Sequence, residues 1–211
     1  VTSQIAKAVH LARVVKADGS VWGWGADQSR VLAYGDLPVR VAGITGVARV
    51  AVAESHTIAL RTDGTVWSWG LNSYGQLGDG TTQSRATPAQ VPVLTNVVDV
   101  SASWSSSLAL RSDGSVWSWG SDNMLGKLGT GAELEVTITT PLIELRPVRV
   151  HLPGVYIAIA GSEDHSLALR ADGTVWAWGS NRMGQLGNGT TAHGESTPAM
   201  IAGLTDVVAI G

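Results

Sequence analysis

One eight-residue phrase occurs four times in this chain, as Asp18-Gly19-Ser20-Val21-Trp22-Gly23-Trp24-Gly25, Asp63-Gly64-Thr65-Val66-Trp67-Ser68-Trp69-Gly70, Asp113-Gly114-Ser115-Val116-Trp117-Ser118-Trp119-Gly120 and Asp172-Gly173-Thr174-Val175-Trp176-Ala177-Trp178-Gly179. A segment that recurs with the same turn, small and aromatic residues makes the same local structure each time, so the fold is a repeat array. Successive copies start 45, 50 and 59 residues apart. That is the period of stacked architectures, with one insertion of about nine residues in the third unit. Eight of the nine Trp sit in the phrase, and the chain has 26 Gly, no Phe and no Cys.

Each Asp-Gly follows a short alternating run such as His56-Thr57-Ile58-Ala59-Leu60-Arg61 and precedes Val-Trp-x-Trp. Two strand patterns around a dipeptide that accepts positive φ predict a β-hairpin. A β-branched segment lies upstream (Val47–Ala51, Val97–Ser101, Tyr156–Ala160), and a segment opening on proline lies downstream (Pro38, Pro88, Pro147, Pro198). Proline cannot donate to a ladder, so that fourth strand belongs on an outer edge. Four short antiparallel strands per unit, with no helical periodicity, predict an all-β propeller of about four blades. The units run roughly 1–46, 47–96, 97–154 and 155–206, with 207–211 opening a fifth, all in one domain. Small residues (Ala59, Ala109, Ala168) alternating with large ones (Trp69, Trp119, Trp178) would let neighbouring sheets interlock. All eight phrase indoles (Trp22, Trp24, Trp67, Trp69, Trp117, Trp119, Trp176, Trp178) are expected to stack between blades as the structural core.

The order His-x-Leu-Ala-Leu-Arg, Asp-Gly, Val-Trp-x-Trp-Gly, then Gly75-Gln76-Leu77-Gly78-Asp79-Gly80 or Gly184-Gln185-Leu186-Gly187-Asn188-Gly189, then Pro-x-x-Val, resembles the repeat of the regulator of chromosome condensation family in its bacterial form. The resemblance covers nearly the whole chain. It implies a propeller, usually of seven blades, whose members bind other proteins, one as an exchange factor for a Ran-type GTPase and a bacterial relative as an inhibitor of β-lactamase. It also favours a secreted or cell-surface place in a bacterium over the cytoplasm, although the compartment stays open. The first unit departs from the pattern with Gln28-Ser29-Arg30-Val31-Leu32-Ala33-Tyr34-Gly35, and the third has Lys127 where others have Gln. Four units fall short of seven. An open arc would expose more apolar surface than a monomer tolerates, so continuation of the array or a homo-oligomer is expected.

Chemistry is sparse. Without cysteine there is no disulfide framework, thiolate zinc site or thiol nucleophile. The net charge of −3 gives no field to neutralise a phosphate backbone, so nucleic acid is not an expected partner. No apolar run reaches the roughly 18 residues needed for a membrane helix, and the first residues lack the order of a signal peptide. The Gly-Gln-Leu-Gly turn has no phosphate-loop lysine or following helix, and Asp79 is replaced by Thr130 and Asn188 in other units, so it is read as a structural turn. His56 and His165 occupy equivalent strand entries where Ser106 stands in another unit, which argues for hydrogen bonding and not for a catalytic base. The expectation is therefore a non-enzymatic protein-binding scaffold with no cofactor and no metal. The alternatives are a nucleotide exchange factor, an inhibitor of a secreted enzyme, or an incomplete or engineered array that assembles with itself.

Positions that vary between units are released from common packing and are the candidates for contact with a partner. Equivalent loops carry Glu54, Trp104 and Glu163, and Trp104 is the one Trp outside the phrase. Tyr74 and Met183 precede their turns, where local packing is favoured over partner contact, and the inserted loop of the third unit, with Glu133 and Glu135, is either a recognition finger or a tolerated surface insertion. A lone loop aromatic anchors an interface or folds back on its own blade, and these two readings stay open.

Overall fold

A computed structural model describes residues 4–8, 10–26, 31–122, 125–131, 142–191 and 193–211. It contains four antiparallel sheets and, among the described residues, no helix. The first sheet is β1 (Gln4–Lys7), β2 (Leu11–Val15), β3 (Val21–Gly25) and β4 (Val39–Arg40). The second is β5 (Val47–Val52), β6 (His56–Arg61), β7 (Val66–Gly70) and β8 (Arg85–Gln90). The third is β9 (Val97–Ala102), β10 (Ser106–Arg111), β11 (Val116–Ser121) and β12 (Ile143–Arg149). The fourth is β13 (Tyr156–Gly161), β14 (His165–Arg170), β15 (Val175–Ser180) and β16 (Gly194–Met200). Each sheet pairs its strands in chain order, so every unit is a four-stranded propeller blade. Successive first strands neighbour one another, β1 with β5, β5 with β9 and β9 with β13, which puts them on the inside of the arc and the fourth strands outside; β8, β12 and β16 contain the repeat's proline, and Pro38 directly precedes β4.

The Asp-Gly hairpins form as their chemistry dictates. In the second blade Asp63 Oδ1 accepts from Thr65 N (3.0 Å) and Thr65 Oγ1 (2.6 Å), while Gly64 takes φ +77°. The other three hairpins repeat the arrangement, and these hydrogen bonds hold Asp18, Asp63, Asp113 and Asp172 below the usual carboxylate range.

Three apolar cores seal the seams between blades, each joining Leu or Val residues of one blade to the first strand, an alanine or equivalent, and the second phrase Trp of the next. Trp69, Trp119 and Trp178 are fully buried there. The first phrase Trp differs from expectation. Trp22, Trp67, Trp117 and Trp176 are half-buried, and three of them donate Nε1 to their own hairpin hydroxyl, as Trp67 does to Thr65 Oγ1 at 3.3 Å. No two indoles stack among the described residues: in each seam the second phrase Trp is buried among aliphatic side chains, and the first phrase Trp packs at the edge of that core.

At the ends of the arc the seam surfaces are open. Ile5, which occupies the register position of buried Val50 and Val100, is 73% exposed, and Trp24 is only half-buried. At the other end Val207 N donates to Gly173 O (3.1 Å), as Val97 N does to Gly64 O, so 207–211 begins like a first strand although it pairs in no sheet among the described residues.

Candidate functional site

The loops joining first to second strands lie at one end of the arc, close to its axis. They converge. Val52, Ala53 and Glu54 from the second blade, Ala102, Ser103 and Trp104 from the third, and Gly161, Ser162 and Glu163 from the fourth line one cleft of about 200 Å³, together with Lys7 and Ala8 of the first. A neighbouring cleft of about 400 Å³ is lined by Glu54, Ser55, Leu71, Ser73, Tyr74, Gln76 and Trp104. Trp104 borders both and is 39% exposed, while its ring centroid lies 5.9 Å from that of Tyr74 at 39°.

Four of the sequence candidates therefore come together: Glu54, Tyr74, Trp104 and Glu163. Met183 does not join them; it is 89% exposed on the turn of the fourth blade, and it lines neither cleft. Glu133 and Glu135 lie outside the described residues, as does the segment Gln28–Arg30.

Beneath the clefts is a buried polar layer. Gln76 Oε1 accepts from Tyr74 N (2.9 Å), which fixes the turn that carries Tyr74. The Gln76 carbonyl accepts from Trp119 Nε1 (2.8 Å) and Ser107 Oγ (2.9 Å) of the next blade. With that hydroxyl proton committed, His56 Nε2 must be the donor to Ser107 Oγ at 3.0 Å. Burial, and then the charge of Lys127, push His56 down to about 3, so it is neutral: a structural histidine.

Lys127, in the Gln76 position of the third blade, is fully buried and reaches across the seam to the carbonyls of Ser162 (2.7 Å) and Glu163. Burial lowers its amine to about 7 against the raising charges of Asp164 and Glu163. It ties one blade's turn to the neighbouring loop that presents Glu163. Its place at the Gln position was the available sequence signal, but nothing in the pattern gave its reach. Among the described residues no group of three His, Cys, Asp or Glu is placed to hold a metal ion, and no helix is long and apolar enough to cross a membrane.

Comparisons with known proteins agree with this architecture. The family model for the regulator of chromosome condensation (RCC1) repeat matches residues 63–110, 113–169 and 172–211, and a second model of that repeat matches 47–76, 97–124 and 156–185. The ultraviolet-B receptor UVR8 of Arabidopsis thaliana is 31% identical over 209 residues, 95% of this chain and 46% of that protein. The human E3 ubiquitin-protein ligase HERC2 is 33% identical over 210 residues, 92% of this chain but 4% of that protein. Among solved structures, Prp20p of Saccharomyces cerevisiae, described with its binding properties to Gsp1p and histones, superposes with TM-score 0.78 at 23% identity over 94% of this chain and 50% of that one. Human WBSCR16 gives 0.76 at 22% identity over 94% and 52%. The chain thus spans less than half the length of these curated relatives and about half of these solved chains. By its repeats and by its blades, this chain belongs to the regulator of chromosome condensation (RCC1) repeat family.

Proposed function

We propose that this chain is a non-enzymatic protein-binding scaffold whose recognition surface is the axial loop end bearing Glu54, Tyr74, Trp104 and Glu163. The observation that carries the reading is the convergence, from three blades, of the loop residues that differ between repeats, around a partly exposed Trp. Repeats hold the backbone rigid, so side chains at loop ends change without cost to the core. An aromatic anchor flanked by polar residues is the usual composition of an interface hot spot. Prp20p, with the same fold, is described as binding Gsp1p and histones, which favours protein recognition as the work of such a blade array. A displayed-peptide selection on the full chain tests this. Binders that lose affinity on Trp104→Ala and Tyr74→Ala support it, and binders indifferent to both reject it.

A second reading rests on the open ends: Ile5 and the half-buried Trp24 at one, Leu204 (43% exposed) at the other, favour end-to-end association of copies. Sedimentation in which the 21.9 kDa chain stays monomeric at all concentrations would dismiss it.

A further inference from the structure

Four aromatic rings hold a cation from their own chain. Lys16 stands 5.2 Å from the Trp22 ring centroid, Arg61 5.8 Å from Trp67, Arg111 5.9 Å from Trp117, and Arg13 4.3 Å from Tyr34. Tyr74 and Trp104 are different. Their tilted rings touch each other, with centroids 5.9 Å apart, and both line the larger cleft; no cation stands over either ring among the described residues, and the carboxylate lining that cleft is the exposed one of Glu54. Glu54 has no ion pair among the described residues. Lys7 lines the smaller cleft beside Glu163 and does not line this one.

A third feature points to the same ligand. Gln76 lines the cleft and is fully buried, and its Nε2 has no hydrogen-bond partner among the described residues. Its amide orientation is fixed, because Oε1 is held by Tyr74 N. A buried N–H without a partner calls for an acceptor such as a main-chain carbonyl.

We infer that the cleft lined by Glu54, Tyr74 and Trp104 receives an arginine side chain of a protein partner. The guanidinium stacks against this aromatic pair with Glu54 as its counter-ion, and a carbonyl of the same peptide accepts from Gln76 Nε2. A planar guanidinium suits this arrangement because it stacks on aromatic faces while presenting N–H donors in its plane to a carboxylate. A lysine gains the charge but not the stacking. The cleft of about 400 Å³ is large enough for one such side chain and its flanking backbone.

This inference rests on the loop end being the recognition surface, and the test separates the two. Peptides selected on the full chain are resynthesised with each arginine replaced by citrulline, its neutral isostere, or by lysine. Affinities are measured for the unsubstituted chain and for Glu54→Gln and Trp104→Leu, each first shown to keep the parent melting temperature. The expected result is a loss of about tenfold or more on Arg→citrulline, a smaller loss on Arg→Lys, and a clearly reduced citrulline penalty once Glu54→Gln is present, the remainder being the cation's attraction to the rings. Binding should also weaken as ionic strength rises. Peptides that need Trp104 but tolerate citrulline would overturn the arginine assignment and leave the surface standing. Recovery of no peptide that needs Trp104 would overturn both.

Discussion

Trp119 Nε1 donates to the main-chain carbonyl of Gln76 at 2.8 Å, so the indole of one blade is latched to the turn of the blade before it. Trp178 does the same to Lys127 O at 2.8 Å. In the first seam, where the Gly-Gln-Leu-Gly turn is missing, Trp69 donates instead to the hydroxyl of Tyr34 at 3.1 Å. Three seams use one donor type and two acceptors.

The latch explains a glycine. Gly78 takes φ +70°, and a Cβ there would lie 2.8 Å from Trp119 Nε1. Gly78→Ala should therefore destabilise the chain by about 1 to 3 kcal/mol from backbone strain alone, with loss of the indole hydrogen bond added. Chemical denaturation of Gly78→Ala beside Gly189→Ala, whose φ is +78° with open space around it, separates the steric part from the backbone part.

Tyr34→Phe removes the acceptor of Trp69 while keeping the ring under Arg13. A cost of about 1 to 3 kcal/mol is expected, because a fully buried indole N–H loses its partner. A melting curve equal to the parent's would show that water or another group takes the hydroxyl's place.

Lys127 makes stability depend on pH above neutrality. Its unfolded value is 10.5 and its folded value about 7, so between these the unfolded chain binds more protons and stability rises with pH. Denaturation from pH 7 to 10 should show that rise, and Lys127→Gln, which restores the residue found at 76 and 185, should flatten it.

His56 acts on the acid side with the same sign. Folded at about 3 and unfolded at 6.5, it withdraws stability progressively as pH falls from 6.5 toward 3. His56→Ser, the residue that the third blade carries as Ser106, should lower the slope in that window, while the unsubstituted chain retains it.

Much of this was legible in the sequence. The phrase gave the hairpins, proline marked the outer strands, and comparison of equivalent positions picked out Glu54, Trp104 and Glu163, which three blades bring to one cleft. What stayed hidden was position along the sheet. Trp67 and Trp69 are two residues apart and share a face, so a period of two treats them alike, yet Trp69 is sealed in the seam and Trp67 sits half-exposed over its own hairpin. Tyr34 and Lys127 were visible only as departures from the repeat. Their roles depend on reaching a neighbouring blade, which no local pattern encodes.

Exchange of indole N–H protons with deuterium, followed by NMR with each Trp assigned by substitution, tests the latched seams most directly. Trp69, Trp119 and Trp178 should exchange orders of magnitude more slowly than Trp104, with Trp22, Trp67 and Trp117 between. Rapid exchange at Trp119 and Trp178 in the folded chain would contradict blades that are held to one another through these bonds.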